Sequence, residues 1–261
     1  MINYKEYKKR KKIYNFSIIF VQVLVLISFI LIWQLLSDNK IINSFIFSSP
    51  KKVYLTIIDL YQNEHLLSHI WITTYETLIS FILGTIIGIV VATIMWMSKF
   101  FAKVISPYLT IINSLPKVAL GPIIVIWFGS SINSIVIMAL LISTIITIIN
   151  VYQAFINIDK IKIKLMKSLK ASKFFIYKNL ILPGSKKVIL NTLVINISMS
   201  LIGVIMGEFL VSKQGIGYLI MYGSQIFNLN LVISGIVILC IISAIMYYII
   251  SFIEKKLVSN N

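Results

Sequence analysis

The segment LMKSLKASKFFIYKNLILPG, residues 165–184, decides how the chain is interpreted, because it is both basic and apolar and lies between strongly hydrophobic blocks. Of the 261 residues, 59% are hydrophobic and 12% are charged, and the mean hydropathy is +0.96. A soluble domain of this length needs far more charge on its surface. The composition indicates a polytopic membrane protein, and residues 165–184 are the part expected to meet a soluble partner.

The apolar runs predict an all-α membrane protein with six spanning helices, since about 20 apolar residues in a helix cross a bilayer core. The chain is treated as one transmembrane domain, residues 1–261, and the first apolar run is too long for the core of a cleaved signal peptide. A cytoplasmic coupling element is expected at residues 157–187, between the fourth and fifth spans. The predicted spans are 14–36, 70–97, 104–128, 132–155, 188–211 and 229–253.

Basic residues are distributed unevenly between the two sides that six spans define. Nineteen Lys and Arg residues fall on the side of both termini, and four fall on the opposite side. Cytoplasmic loops carry the Lys/Arg excess, so both termini and residues 157–187 are predicted to be cytoplasmic in a multi-pass cell-membrane protein. The formal charge of +16 is thereby explained by topology. The basic residues form short clusters without interleaved stacking aromatics, so no nucleic-acid partner is expected.

The third predicted span is irregular. Pro107, Pro116-Lys117 and Gly121-Pro122 are all expected to interrupt it, because proline removes a donor and clashes with the preceding turn. Broken backbone at membrane depth is tolerated only where protein or water covers it, so this span is expected to line a pathway. Lys117 either lies in a water-lined cavity or caps carbonyls that the break frees.

The second span carries Gly84, Gly88 and Ala92 at a spacing of four. Small residues at that spacing let a neighbouring helix approach closely in lipid. We therefore predict a close helix contact along this face.

Residues 157–187 predict two short helices joined near Ala171. Ser172 is a suitable N-cap for the second, and Leu182-Pro183-Gly184 is expected to end it. The first helix places Ile158, Ile161, Leu165 and Leu169 on one stripe. This stripe and the following aromatic residues suit either a groove on a partner protein or a surface of anionic lipid headgroups, and physical reasoning alone leaves both open.

The same segment resembles the EAA motif of ATP-binding-cassette (ABC) importer permeases, which reads roughly E-A-A-x-x-x-G-A-S, then an aromatic-rich stretch, then L-P. Here SLKAS (168–172), FF (174–175) and ILP (181–183) fit that pattern. The sequence departs from it where Lys164-Leu165-Met166 replace E-A-A and where Lys170 replaces the glycine. A lysine at a position that requires an unusual backbone angle is strained, or the bend is built differently.

Three other stretches resemble permeases for nitrate, sulfonates, taurine and related solutes. LPKVALGPIIVIWFG (115–129) and GEFLVSKQGIGYLI (207–220) match segments of those proteins, and FSSPKKV (47–53) matches their entry to the second span. The resemblance implies a permease that dimerises, two cytoplasmic ATPases that dock on the EAA-like helices, and an external binding protein that delivers solute. It implies that ATP and Mg are bound by the partner and no cofactor by this chain. The implied docking residues are Lys164, Leu165, Met166, Leu169, Lys170, Ala171, Ser172, Phe174, Phe175 and Pro183.

Two acids fall within predicted spans. Acids in a membrane are expensive, so Glu208 is expected to act in the pathway or gate, with an interfacial position as the alternative. The other pathway candidates are Pro116, Lys117, Gly121 and Pro122. Glu76 is expected to be interfacial or paired with a neighbour.

The sequence shows no pattern typical of an enzyme. It lacks a nucleophile–base pair and a phosphate-cradling GxxxxGK[ST] loop, so ATP hydrolysis is not expected from this chain. His65 and His69 are four residues apart but have no third ligand beyond Glu64, so no metal site is expected. A secondary transporter or channel is the rival hypothesis, although such proteins usually show inverted repeats with paired broken helices.

Overall fold

The computed structural model describes residues 4–259, and these are entirely helical apart from turns, without a strand. The predicted all-α polytopic fold is confirmed. Residues 1–3 and 260–261 lie outside the described part. They belong to the two termini, which the charge pattern predicts to be cytoplasmic. The α-helices are α1 (Tyr4–Asp38), α2 (Ser44–Phe47), α3 (Pro50–Asn63), α4 (Leu66–Met97), α5 (Lys99–Ser114), α6 (Gly121–Phe128), α7 (Ile132–Ile156), α8 (Lys160–Ser168), α9 (Lys173–Ile176), α10 (Leu182–Val211), α11 (Ile216–Gln225) and α12 (Leu229–Ser259).

Five of the described helices are long and apolar enough to cross a membrane, and a bent pair supplies a sixth span. The fifth of the six spans is longer than the predicted 188–211, because α9, a π-turn (Tyr177–Ile181) and α10 form one helical run, Lys173–Val211, of 39 residues. The bent pair is α5 with Lys117–Phe128, and its two arms meet at 93°.

The structure corrects the prediction that Pro107 interrupts the third span. Pro107 lies inside the 16-residue helix α5, which ends only at Ser114. One missing donor does not end a helix whose other hydrogen bonds remain. The break follows at Leu115, which has an extended ψ of 140° because the residue before a proline is biased away from the helical region.

The described residues form two compact units, residues 4–64 with 223–234 and residues 65–222 with 235–259. In the first unit, the Ser49 hydroxyl accepts from the Lys52 N–H and so caps α3, with Pro50 at the first helical position. Val53 and Leu60 are the buried side of α3. The Ser48 hydroxyl donates to Asn230 Oδ1 at 2.7 Å.

The second unit is built around α4, α7 and α10, which pack against one another. A Cβ atom on Gly84 would lie 2.5 Å from Ser143 Oγ, and one on Gly88 would lie 2.5 Å from Thr147 Cγ2. Ala92 on the same stripe is fully buried. The predicted close contact along α4 is confirmed, with α7 as the neighbour, and small residues of this kind drive helix association in lipid.

Candidate functional site

The coupling element begins with the short helix α8, capped by Asp159, whose Oδ1 accepts from the Ile161 N–H. Ser172 caps the next helix by accepting from the Phe175 N–H. The bend between the helices is made at Lys170, which has a left-handed φ of +55°. Lysine therefore adopts a backbone angle that glycine reaches without steric cost.

The second helix of the coupling element does not end at Leu182-Pro183-Gly184, which corrects that prediction. Pro183 has no N–H to donate to Asn179 O, and the chain compensates with a widened turn in which the Leu182 N–H donates to Tyr177 O. A π-turn of this kind relieves the clash of a proline ring with the preceding turn. The coupling element is thus continuous with the fifth span.

One side of the coupling element is anchored on the membrane helices. Ile163, Met166 and Ala171 pack against a buried cluster contributed by α4, α7 and the start of the long helical run. Ile158, predicted on the outward stripe, instead packs against this cluster. Gly184 leaves room for Ile158 there, since a Cβ atom at residue 184 would lie only 2.8 Å from Ile158 Cδ1. The cluster consists of Ala92, Val151, Phe155, Ile176 and Ile181.

The opposite side of the coupling element exposes large apolar side chains, which we call the docking surface. Its members are 52–75% exposed: Ile161, Leu165, Leu169, Phe174 and Phe175. Of the other predicted docking residues, Lys164, Lys170, Ser172 and Pro183 are exposed. Met166 and Ala171 face the protein. The coupling element is thus anchored by one face, while residues 4–259 leave its other face uncovered.

The break in the third span carries the predicted pathway residues Pro116, Lys117, Gly121 and Pro122. Lys117 Nζ donates to Asn113 O at 3.0 Å, so it caps a carbonyl near the end of α5. Gly121 is buried, and a Cβ there would lie 2.3 Å from Leu210 Cδ1. Pro122 occupies the first turn of α6. This region packs on α10, and Lys117 and Glu208 make their hydrogen bonds to different residues.

Glu208, the fifth pathway candidate, is the centre of a buried polar network. Its side chain is 1% exposed, so it is buried within the protein. Oε1 accepts from the Thr73 hydroxyl at 2.6 Å, and Oε2 accepts from the Gly217 N–H at 2.5 Å. Both carboxyl oxygens are therefore tied to other segments, α4 and the start of α11.

The turn before α11 is held by the same face of α4. Thr73 Oγ1 accepts from the Ile216 N–H at 2.9 Å while donating to Glu208. His69 Nδ1 accepts from the Gly215 N–H at 2.9 Å, and its ring stacks on Tyr218. Gly215 has φ +108°, and a Cβ there would lie 2.4 Å from Glu208 Cδ. Only glycine fits between this turn and the carboxyl group.

Glu76 completes what we call the acid network: His69, Thr73, Glu76, Glu208 and the backbone of residues 215–217. Its side chain is 1% exposed, and its carboxyl group lies within hydrogen-bonding reach of that of Glu208. Its Oε2 atom is buried without a hydrogen-bond partner among the described residues. The acid network therefore brings two buried carboxyl groups together.

Sequence reasoning missed that His69 and Thr73 belong with the two acids. The available signal was the spacing of His69, Thr73 and Glu76 at i, i+4 and i+7, which places polar groups on one face of an otherwise apolar helix. The pairing with Glu208 comes from the antiparallel packing of α4 and α10, which a one-dimensional pattern does not specify.

Comparisons with known proteins place this architecture. Residues 84–259, well over half of the chain, match the family described as "Binding-protein-dependent transport system inner membrane component". A probable ABC transporter permease protein of Haemophilus influenzae is 26% identical over 88% of this chain and 93% of its own length. A putative aliphatic sulfonates transport permease protein of Bacillus subtilis is 24% identical over 87% of this chain and 83% of its own.

Solved structures show the same fold. A chain of a bacterial ABC transporter involved in the import of alginate superposes with a TM-score of 0.64 at 15% identity, covering 95% of this chain and 99% of the other. A chain of the inward-facing MetNI methionine ABC transporter superposes with a TM-score of 0.63 at 18% identity, over 75% of this chain and 95% of the other. Because the family match covers the core helices α7 and α10, the coupling element and the acid Glu208, the chain belongs to the binding-protein-dependent transport system inner membrane components and is the permease subunit of an ABC importer.

Proposed function

We propose that the docking surface receives a cytoplasmic ATPase and that the helical run Lys173–Val211 transmits the ATPase's motion to the acid network. One observation carries this proposal: Phe174 and Glu208 lie near opposite ends of a single run of 39 residues. At about 1.5 Å per residue such a helix extends about 58 Å, longer than the thickness of a bilayer core. A displacement at one end of a continuous helix shifts or tilts the other end.

The exposed side chains of the docking surface are suited to binding a partner protein. Apolar and aromatic side chains on an anchored helix are typical anchors for a groove on another protein. ATP and Mg bind the partner in this proposal, and hydrolysis there supplies the free energy. The permease contributes two arrangements of one conduit, open to either side of the membrane in turn.

The acid network is the element proposed to change between those arrangements. Tilting the end of α10 would pull Glu208 from Thr73 and Gly217 and release the turn at residues 212–217. The buried polar contacts are costly to leave unmade, so the network has a closed state that resists partial opening. A bistable contact of this kind suits a gate.

The assembly proposed is a homodimer of this chain with two ATPases and an external solute-binding protein, with both termini in the cytoplasm. The basic excess on the side of the termini supports this orientation. A groove between α10 and α12, lined by Leu201, Ile205, Phe209, Ile236 and Tyr247 among others, is available to a second copy or to lipid.

The transported molecule is a small solute chosen by the binding protein. Relatives carry names for different solutes, among them an aliphatic sulfonates permease and a formylaminopyrimidine transport permease of Halalkalibacterium halodurans, 27% identical over 72% of this chain and 74% of its own. The described pathway candidates include one cation, Lys117, and its ammonium group already donates to Asn113.

The proposal is tested with Phe174→Asp in the complex reconstituted with its ATPase. Phe174 is 67% exposed, so the variant is expected to fold normally while ATPase co-purification and ATP-driven uptake fall at least about tenfold, as for a hot-spot aromatic. The matched control is Phe100→Asp, which changes a residue that is 80% exposed outside the docking surface. Unchanged co-purification of the Phe174 variant, or equal loss in both variants, would show that the docking surface is assigned wrongly.

A further inference from the structure

We propose that a cavity between α8 and the ends of the spanning helices binds a phosphate-bearing anion, supplied by the headgroup of an anionic phospholipid or by free phosphate. The cavity has a volume of about 590 Å³. Five lysines line it, and we call it the lysine cavity: Lys99, Lys160, Lys164, Lys167 and Lys173. The docking surface is a different face of α8.

The lysine cavity is assembled from three segments. Lys160, Lys164 and Lys167 follow one another at i, i+4 and i+7, so they form one stripe along α8. This stripe flanks the face of Ile163 and Met166 that packs on the membrane helices. Lys99 begins α5 and Lys173 begins α9, and both meet the α8 stripe across the cavity.

The positive charge of the lysine cavity is not neutralised within its walls. The described residues that line it include no aspartate or glutamate. Asp159, which directly precedes the stripe, caps α8 through the Ile161 N–H. Lys173 Nζ is oriented by donation to Met97 O and by a position 5.9 Å from the centre of the Trp96 ring. Several ammonium groups around one space repel each other, and a bound anion removes that repulsion.

The rest of the lining suits a phosphate group at a membrane surface. Trp96, Tyr152 and Phe155 line the cavity beside the lysines, with apolar Met95 and Ile156. Tryptophan and tyrosine favour the headgroup level of a bilayer. Basic pockets between spanning helices on the cytoplasmic side are suited to anionic lipid headgroups. An aromatic and aliphatic wall next to the cations accommodates the glycerol and first acyl carbons of a lipid, which free phosphate lacks.

The test uses the full-length chain in micelles with equal amounts of phosphatidylglycerol and phosphatidylcholine, and native mass spectrometry counts the lipids that each protein retains. The cavity variant is Lys99→Gln with Lys160→Gln and Lys167→Gln, all three outside the implied docking residues. The control variant is Lys162→Gln with Lys178→Gln and Lys255→Gln, which removes the same charge from other exposed positions of the predicted cytoplasmic side. A second arm adds excess inorganic phosphate.

We expect the wild-type chain to retain phosphatidylglycerol over phosphatidylcholine, the cavity variant to lose that preference about tenfold, and the control to stay within about twofold of wild type. If excess phosphate does not displace the retained phosphatidylglycerol, the ligand is the lipid headgroup. Displacement by phosphate, absent in the cavity variant, identifies free phosphate. Equal loss in both variants, or no preference in the wild type and no phosphate binding, overturns the anion site. ATPase co-purification of the same variants is measured separately. If the cavity variant keeps its lipid preference but loses ATPase co-purification, the anion site is also overturned, and the lysines are assigned to an acidic segment of the partner protein.

Discussion

The two ends of the helical run Lys173–Val211 are built on opposite principles. At one end, Phe174 and Phe175 are exposed, and no residue that the structure describes covers them. At the other, Glu208 is buried with both carboxyl oxygens accepting hydrogen bonds. One helix therefore joins a surface that we propose another protein completes to a network that is completed within this chain.

The difference explains where each end is sensitive. The exposed side chains of the docking surface contribute stability only when a partner buries them. Their substitution is therefore expected to affect assembly more than the stability of the isolated chain. In the acid network, a donor or acceptor that is left buried and unpaired destabilises the folded chain. Substitutions at the two ends separate these effects when unfolding and transport are measured on the same variants.

The largest effect on stability is expected from Gly215→Ala. The added Cβ would lie 2.4 Å from Glu208 Cδ in a backbone with φ +108°. Steric crowding and left-handed strain together are expected to lower the free energy of unfolding by about 3 kcal/mol. The measurement is unfolding of the purified chain by titration with denaturing detergent.

Gly129→Ala is the control for Gly215→Ala. Gly129 has φ +74°, also left-handed, but no atom lies within 4 Å of the added Cβ. The control is expected to cost about 1 kcal/mol from backbone strain alone. Equal costs at the two glycines would mean that the Glu208 carboxyl moves aside freely, and the description of a rigid acid network would then be wrong.

The second prediction separates the two acids. Glu208→Gln replaces an acceptor oxygen with an NH₂ group facing the Thr73 hydroxyl or the Gly217 N–H, both of which donate to Glu208. We expect the variant to lose about 1–3 kcal/mol of unfolding free energy and most of its ATP-driven uptake.

Glu76→Gln is the matched change at the other acid, where Oε2 is without a partner among the described residues. The glutamine NH₂ group can donate to the Glu208 carboxyl group, so stability is expected to change by less than about 1 kcal/mol. Unfolding and uptake in proteoliposomes are measured for both variants. If Glu76→Gln is as damaging as Glu208→Gln, the carboxyl group of Glu76 is itself required, and the expectation that the two acids differ is wrong.

The sequence was sufficient for features that depend on local composition. Apolar runs predict the spans, and Pro116 with Gly121-Pro122 predicts a broken third span. Ser172 is identified as an N-cap by its residue type and position. Each of these depends on a few neighbouring residues, and the structure keeps them because no distant contact opposes them.

Features that depend on long-range packing were missed or predicted wrongly. Pro183 is predicted to end a helix, but a π-turn accommodates it and the helical run continues. Ile176 and Ile181, before and at the end of this turn, are buried in one cluster that holds the run in place. The Thr73–Glu208 bond joins residues separated by 135 positions. The lysine cavity likewise brings Lys99 together with Lys160, Lys164 and Lys167 of α8, which lie far away along the chain.

The smallest effect is expected at the bend between the two ends of the coupling element. Lys170 has φ +55° and is exposed. Lys170→Gly removes a left-handed strain of about 1 kcal/mol, although glycine also adds freedom to the unfolded chain. The net gain in unfolding free energy is expected to be about 0.5 kcal/mol, measured by the same detergent titration.

The identical substitution at Lys167, in the last turn of α8, is the comparison for Lys170→Gly. Lys167 is helical, so glycine is expected to cost up to about 1 kcal/mol there, with the opposite sign. A loss at both positions would mean that the Lys170 side chain makes a stabilising contact that outweighs its backbone strain. If Lys170→Gly is more stable but co-purifies less ATPase, the lysine is retained for its charge toward the partner. Lys170→Asn checks this, because asparagine also tolerates the left-handed backbone but carries no charge. It should then weaken ATPase co-purification as much as Lys170→Gly does.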